Sequence, residues 1–182
     1  IGFCLVGSEM CIRDSIELSD DSRIENRMIA VETLALLGWY DQLVELLASA
    51  PRPGPGPSAE MWEKLEEQSV PPALADATQA LALKKSFRDH VYPQKGEILV
   101  GLAARSLLSD DKEARTQELI RLLKDENIIF RRYAIQWLRE LYVESPSDTA
   151  KYRADWSGKQ LLDAADWWQI RYEQGLLSPR TP

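Results

Sequence analysis

Residues 23–47 read RIENRMIAVETLALLGWYDQLVELL. Ile24, Met28, Val31 and Ala35 recur at 3.6-residue spacing, which predicts a helix over 23–37 with one apolar stripe. Leu34 and Leu37 widen that stripe. Ile29 and Leu36 lie beyond it, so the helix is expected to be contacted from more than one side. Ser22 stands at the N-cap position, with Glu25 three residues later as its reciprocal partner. Gly38 supplies a stop. A return helix follows over 40–49, where Leu43, Val44 and Leu47 face the first helix and Leu46 lies alongside. So short a connection predicts an antiparallel hairpin.

Working outward, PRPGPGP at 51–57 removes backbone donors and favours extended chain, so it reads as an exposed loop. A short helix is expected over 59–68, anchored by Trp62 and Leu65, with Pro71 and Pro72 punctuating the chain after it. A longer helix is expected over 73–91 and another over 97–108, where Gly101 permits close packing. Helices over 113–123 and 128–142 flank a turn at Asp125, Glu126 and Asn127. On the second of these, Phe130, Ala134, Trp137, Leu138 and Leu141 form the inner sector, and Arg132, Gln136, Arg139 and Glu140 fall outside it. Residues 145–158 read as irregular. A last helix over 159–174 carries Leu161, Ala165, Trp168 and Tyr172 on one stripe, while Trp167 and Ile170 point away. Gly175 stops it, and 178–182 are expected to be a flexible tail. No segment sustains a two-residue alternation, so the fold class is all-α.

The pairs at 23–49 and 113–142 share one theme, and 73–108 supplies a third pair. Such units bury their apolar faces by stacking. The segment at 23–47 resembles a HEAT-like repeat through Arg27, Ala30, Leu34, Leu37, Gly38, Leu43, Leu46 and Leu47. Residues 118–141, ELIRLLKDENIIFRRYAIQWLREL, resemble a second through Leu122, Leu123, Arg131, Arg132, Ala134 and Leu138. The whole resembles HEAT-like domains of uncharacterised bacterial multidomain proteins, often of planctomycetes. There a proline-containing loop and a tryptophan-bearing helix follow the last hairpin, as Trp137, residues 145–156 and Trp167/Trp168 do here. The middle of the chain and its aromatic end depart from ordinary HEAT spacing. The resemblance implies a short right-handed HEAT-like α-solenoid of antiparallel helix hairpins over 16–177, closed by a C-terminal aromatic capping helix, and a scaffold or regulatory role.

Residues 5–15, LVGSEMCIRDS, resemble a translated synthetic sequencing adapter. That resemblance implies that residues 1–15 are non-native, that the natural sequence starts near Ile16, and that the chain is the C-terminal fragment of a larger protein. Cys4 and Cys11 both lie in this opening, so the remaining 167 residues offer no disulfide framework or thiolate metal site. Setting aside Glu9, Asp14 and Arg13 moves the formal charge from −7 to −6, and an acidic chain disfavours nucleic acid as a partner. IGFCLV lacks the basic start of a signal peptide, and no apolar run reaches the roughly 18 residues of a membrane span. A cytoplasmic setting is the default expectation.

Chemistry-bearing patterns are sparse. His90 is the sole histidine, which suits a helix end better than a metal site. Asp110 and Asp111 precede a helix and suit capping. Asp163 and Asp166 share a helix but read as surface charges. Ser106, Ser109 and Ser157 sit in no nucleophile elbow, and Gly54 and Gly56 form no phosphate-binding pattern. Trp137 and Trp168 read as core. No catalytic, cofactor or metal site is expected. The expected partner-binding residues are Arg132, Arg139, Trp167 and Ile170, with Arg131, Arg132 and Arg139 suiting an acidic peptide. The leading function is a noncatalytic protein-interaction or regulatory scaffold that binds a protein, a peptide or another domain of the same protein. The alternative is a hydrolase-like domain with a carboxylate-containing pocket between repeats.

Overall fold

A computed structural model describes residues 9–48, 58–91, 95–104, 111–143 and 152–179. Among these residues the fold is all-α apart from one two-residue strand pair, and the chain divides into two compact units, Ile1–Ala104 and Arg105–Pro182.

The first unit holds α1 (Glu9–Ser19), α2 (Ile24–Leu36), α3 (Asp41–Ala48), α4 (Ala59–Ala75), α5 (Ala77–His90) and α6 (Gly96–Ala103). Helix α1 runs unbroken across Ser15 and Ile16, and its Cys11 is disulfide-bonded. It packs on α2, where the Arg27 Nε donates to the Ser19 carbonyl at 3.0 Å. Ser22 does not cap α2. The N-cap is Arg23, with no side-chain cap bond, because Asp21 Oδ1 accepts from the Arg23 amide at 2.7 Å and shapes the entry instead. Gly38 ends the helix as expected. Its φ of +83° lets its own N–H reach the Ala35 carbonyl and the Trp39 N–H reach that of Leu34, the paired bonds of a Schellman stop.

Pro71 and Pro72 lie inside α4 rather than beyond a short helix. Both are exposed, as are Glu67 and Gln68, whose carbonyls lose their partners four residues on. Water can satisfy those carbonyls, so the helix survives. It breaks at Asp76, whose extended backbone (φ −101°, ψ 125°) ends α4 while its Oδ1 accepts from the amides of Thr78 and Gln79 to start α5. Helix α2 packs against α1, α3 and α4, and α5 packs against α3, α4 and α6. The core gathers Leu34, Leu43, Val44, Leu47, Val70, Leu83, Phe87 and Leu99, each closed to solvent. Trp62 joins it from α4 and donates its indole N–H to the Leu47 carbonyl at 2.9 Å, satisfying the one polar atom it buries. The close approach of α6 to α5 falls at Gly96, where an added Cβ would lie 2.5 Å from Arg88 Cγ and 3.2 Å from its Cα.

The second unit holds α7 (Lys112–Leu122), α8 (Ile128–Leu141), β1 (Tyr142–Val143), α9 (Gly158–Glu173) and β2 (Ser178–Pro179). Asp111 caps α7 through the Glu113 amide. In the expected turn, Asp125 Oδ1 accepts from the Asn127 amide, and Asn127 Oδ1 in turn caps α8 through the Ile129 amide. Helix α7 packs on α8 and α9. Leu119, Leu123, Ile129, Phe130, Ala134 and Leu138 are fully buried between them, and each of the large ones stabilises the unit by about 1.5–3 kcal/mol. Gly175, at φ +66°, ends α9 with a second Schellman stop. The chain then returns along β1, pairing Tyr142 with Pro179 and Val143 with Ser178 in antiparallel register. Ser178 and Pro179, expected in the flexible tail, are therefore held by a short backbone ladder.

Candidate functional site

Three arginines on α8 were expected to form a patch suiting an acidic peptide, and the fold places them differently. Arg131 is buried and used as a fastener. Its Nε donates to the Ala154 carbonyl at 2.8 Å, and its Nη1 donates to the carbonyls of Asp125 and Glu126 at 2.6 and 2.9 Å. Tyr152 works beside it, donating its phenol to the Leu123 carbonyl at 2.6 Å. Together they tie the α7–α8 turn to the 152–156 segment. Burial pushes the Tyr152 phenol far above its ordinary range and pulls the Arg131 guanidinium below its own. Arg132 was expected outside the buried sector, yet it is only 8% exposed. Arg139 is half-buried, and its Nη2 donates to the Tyr152 carbonyl at 3.3 Å.

Helix α9 sorts its two tryptophans as the sequence predicted only in part. Trp168 is buried with Leu161, Ala164 and Ala165. Trp167 points away from that stripe but is half-buried. Its ring meets Trp168 edge-on, with centroids 5.6 Å apart, and the Arg171 guanidinium lies 4.9 Å over its face. Its aromatic surface is thus engaged within the helix. Ile170 is 50% exposed, and Leu162 is similarly open. Among the four expected partner-binding residues, only Ile170 presents a largely open side chain.

The more open apolar surface lies on α2. Ile29 is 61% exposed and Leu36 74%, and Trp39, just past the Gly38 stop, is 47% exposed. Ile29 and Leu36 are two helical turns apart on one face. Glu25 and Glu32 stand on the same face with the same seven-residue interval, each four residues before one of the apolar pair. Among the described residues neither carboxylate has an ion-pair partner, whereas Asp89 pairs with Lys85 and Asp166 with Lys124. The sequence did carry a signal here: Ile29 and Leu36 fell outside the main stripe. That signal was read as a second buried side, and the side is open.

The residues weighed for chemistry are dispersed. His90 Nε2 lies 3.4 Å from Asp41 Oδ1, at the exposed end of α5. Asp111 is the α7 cap. Asp163 and Asp166 are exposed. Ser157 is exposed at the N-cap position of α9 and makes no cap bond. Asp110, Ser106, Ser109, Gly54 and Gly56 lie outside the described residues. An open depression of about 440 Å³ in the second unit is lined by Lys112, Glu113, Tyr142, Tyr172 and Pro179 among others. Neither Asp163 nor Asp166 lines it. Lys112 Nζ stands 5.4 Å from the centre of the Tyr142 ring, and the Tyr142 hydroxyl shares a 2.7 Å hydrogen bond with buried Thr116. Among the described residues no cluster of His, Cys, Asp or Glu could hold a metal ion, and no helix is long and apolar enough to cross a membrane. Comparison with protein-family models, with curated proteins and with solved structures gives no match.

Proposed function

We propose that this chain is a noncatalytic HEAT-like helical-repeat domain that binds a protein or peptide, or another domain of the same protein, on outward helix faces. The stacking pattern of the first unit supports the architecture. Helices α2 and α3 adjoin, α4 and α5 adjoin, and the pairs meet first helix to first helix (α2 on α4) and second to second (α3 on α5). Such like-to-like contact is what stacking of helix hairpins would produce, and it supports the short right-handed α-solenoid proposed here. In the second unit, α9 lies on α7 with Trp168 turned inward, as a capping helix would. The observation that carries the functional reading is the exposed strip Ile29–Leu36–Trp39. Grouped exposed large apolar side chains mark interaction surfaces, and aromatic anchors dominate binding at such sites.

The test is affinity capture with the wild-type chain and with Leu36→Glu, read by quantitative mass spectrometry, after circular dichroism shows equal helicity. Loss of a defined partner from the variant is the expected result. Identical partner sets for the two proteins would sink the reading.

A further inference from the structure

We propose that the α2 strip receives an amphipathic helix whose apolar seam is flanked by lysine or arginine. This rests on the interaction reading above and names the chemistry of the occupant. Ile29 and Leu36 repeat at a heptad interval, and so do Glu25 and Glu32, so the face presents an apolar row and a carboxylate row side by side. A partner helix with leucines at its seam positions packs its knobs against the apolar row. Cationic residues at its flanking positions then meet the carboxylate row, as charges beside the seam set partner choice in paired helices. Glu25 and Glu32 lack an ion-pair partner among the described residues, so a cationic flank would supply one. Acidic flanks would meet like charge, which costs affinity and selects against the wrong partner. A second copy of the chain is a poor occupant for the same reason. Parallel pairing of α2 with itself sets Glu25 and Glu32 against their own copies, and antiparallel pairing of Ile29 with Leu36 brings Glu32 beside Glu32.

The probe is a fluorescein-labelled synthetic peptide of about five helical turns with leucine at the seam and lysine at the flanks. Two controls accompany it: one with glutamate at the flanks, and one with the lysine peptide's composition scrambled. Binding to the full chain is read by anisotropy. The lysine-flanked peptide is expected to bind, with affinity falling about tenfold or more on Leu36→Glu. The paired charge reversal Glu25→Lys/Glu32→Lys is expected to weaken it by a similar factor and to invert the preference toward the glutamate-flanked peptide. Ile29→Gln gives the same loss and serves as the second apolar variant. Equal binding of the scrambled peptide overturns the proposal, as does charge reversal without effect. If capture of a partner is still lost in Leu36→Glu while charge reversal changes nothing, the interaction reading stands and the cationic occupant falls. A dimer in sedimentation that Leu36→Glu dissolves also overturns it, in favour of a second copy.

Discussion

Arg131 shows how one side chain can look like a binding residue and serve as a fastener. Its planar fork satisfies three carbonyls, of Asp125, Glu126 and Ala154, that belong to two separate stretches of chain. Arg131→Ala would leave those acceptors without their donor and is expected to lower the unfolding free energy by about 2–4 kcal/mol, read from urea denaturation with the slope unchanged. Arg131→Lys should recover less than half, because a single ammonium cannot reproduce the fork. Tyr152 adds a pH dependence. Its phenol is held protonated by burial, so its folded pKa lies above its unfolded one. Below pH about 10 both states keep the proton; above it the unfolded chain releases the proton first, and stability falls as pH rises. Wild type is therefore expected to lose stability between pH 10 and 11 faster than Tyr152→Phe. Equal slopes would refute the assignment. Tyr152→Phe itself should cost about 0.5–1.5 kcal/mol at neutral pH through loss of the bond to Leu123. None of this was legible in the sequence. Helical periodicity says which sector of α8 faces its neighbour helix, but not that residues 152–156 fold back over Arg131.

Several helix ends were legible, because their signals are local. Gly38 and Gly175 stop helices by adopting a conformation that side chains disfavour, and Asp111 caps α7 through its own oxygen, whereas the cap expected at Ser22 gives way to Arg23. Pro71 and Pro72 misled for an equally physical reason: a proline's cost depends on which face of the helix carries it, and sequence does not state the face. Pro71→Ala is expected to restore the bond to the Glu67 carbonyl and raise stability by about 1–2 kcal/mol, net of the freedom regained by the unfolded chain. Were the helix to end before Pro71, thermal denaturation would show no gain. Gly96 offers the opposite test at the α5–α6 crossing. Gly96→Ala places a methyl group against the Arg88 backbone and is expected to cost about 1–3 kcal/mol by urea titration, despite alanine's better helix propensity. The candidate site was legible only as residues out of pattern. Ile29 and Leu36 were visibly surplus to one stripe, but whether a second neighbour covers them is decided by the packing of α1, α3 and α4.

At the scale of the whole molecule, the sequence specified helices more firmly than the boundary between cores. The repeat resemblance ran one array over 16–177, and the chain divides into two compact units, 1–104 and 105–182. In the second, Leu119, Leu123, Ile129, Phe130, Leu138, Tyr152 and Trp168 are all buried, and the Arg131–Tyr152 fastener and the β1–β2 ladder hold its irregular segments to its helices. A unit of about 80 residues sits near the size at which one core supplies about 3–5 kcal/mol, so it should fold alone but only modestly. The fragment 105–182 is accordingly expected to show one cooperative thermal transition, with tryptophan near-UV dichroism and helicity lost together. Arg131→Ala in that fragment removes a large share of so small a margin and should leave it substantially unfolded at room temperature. A fragment that keeps helicity but lacks near-UV signal and binds hydrophobic dye would be a molten species. It would show that the core drawn from 105–182 is insufficient to specify its own packing.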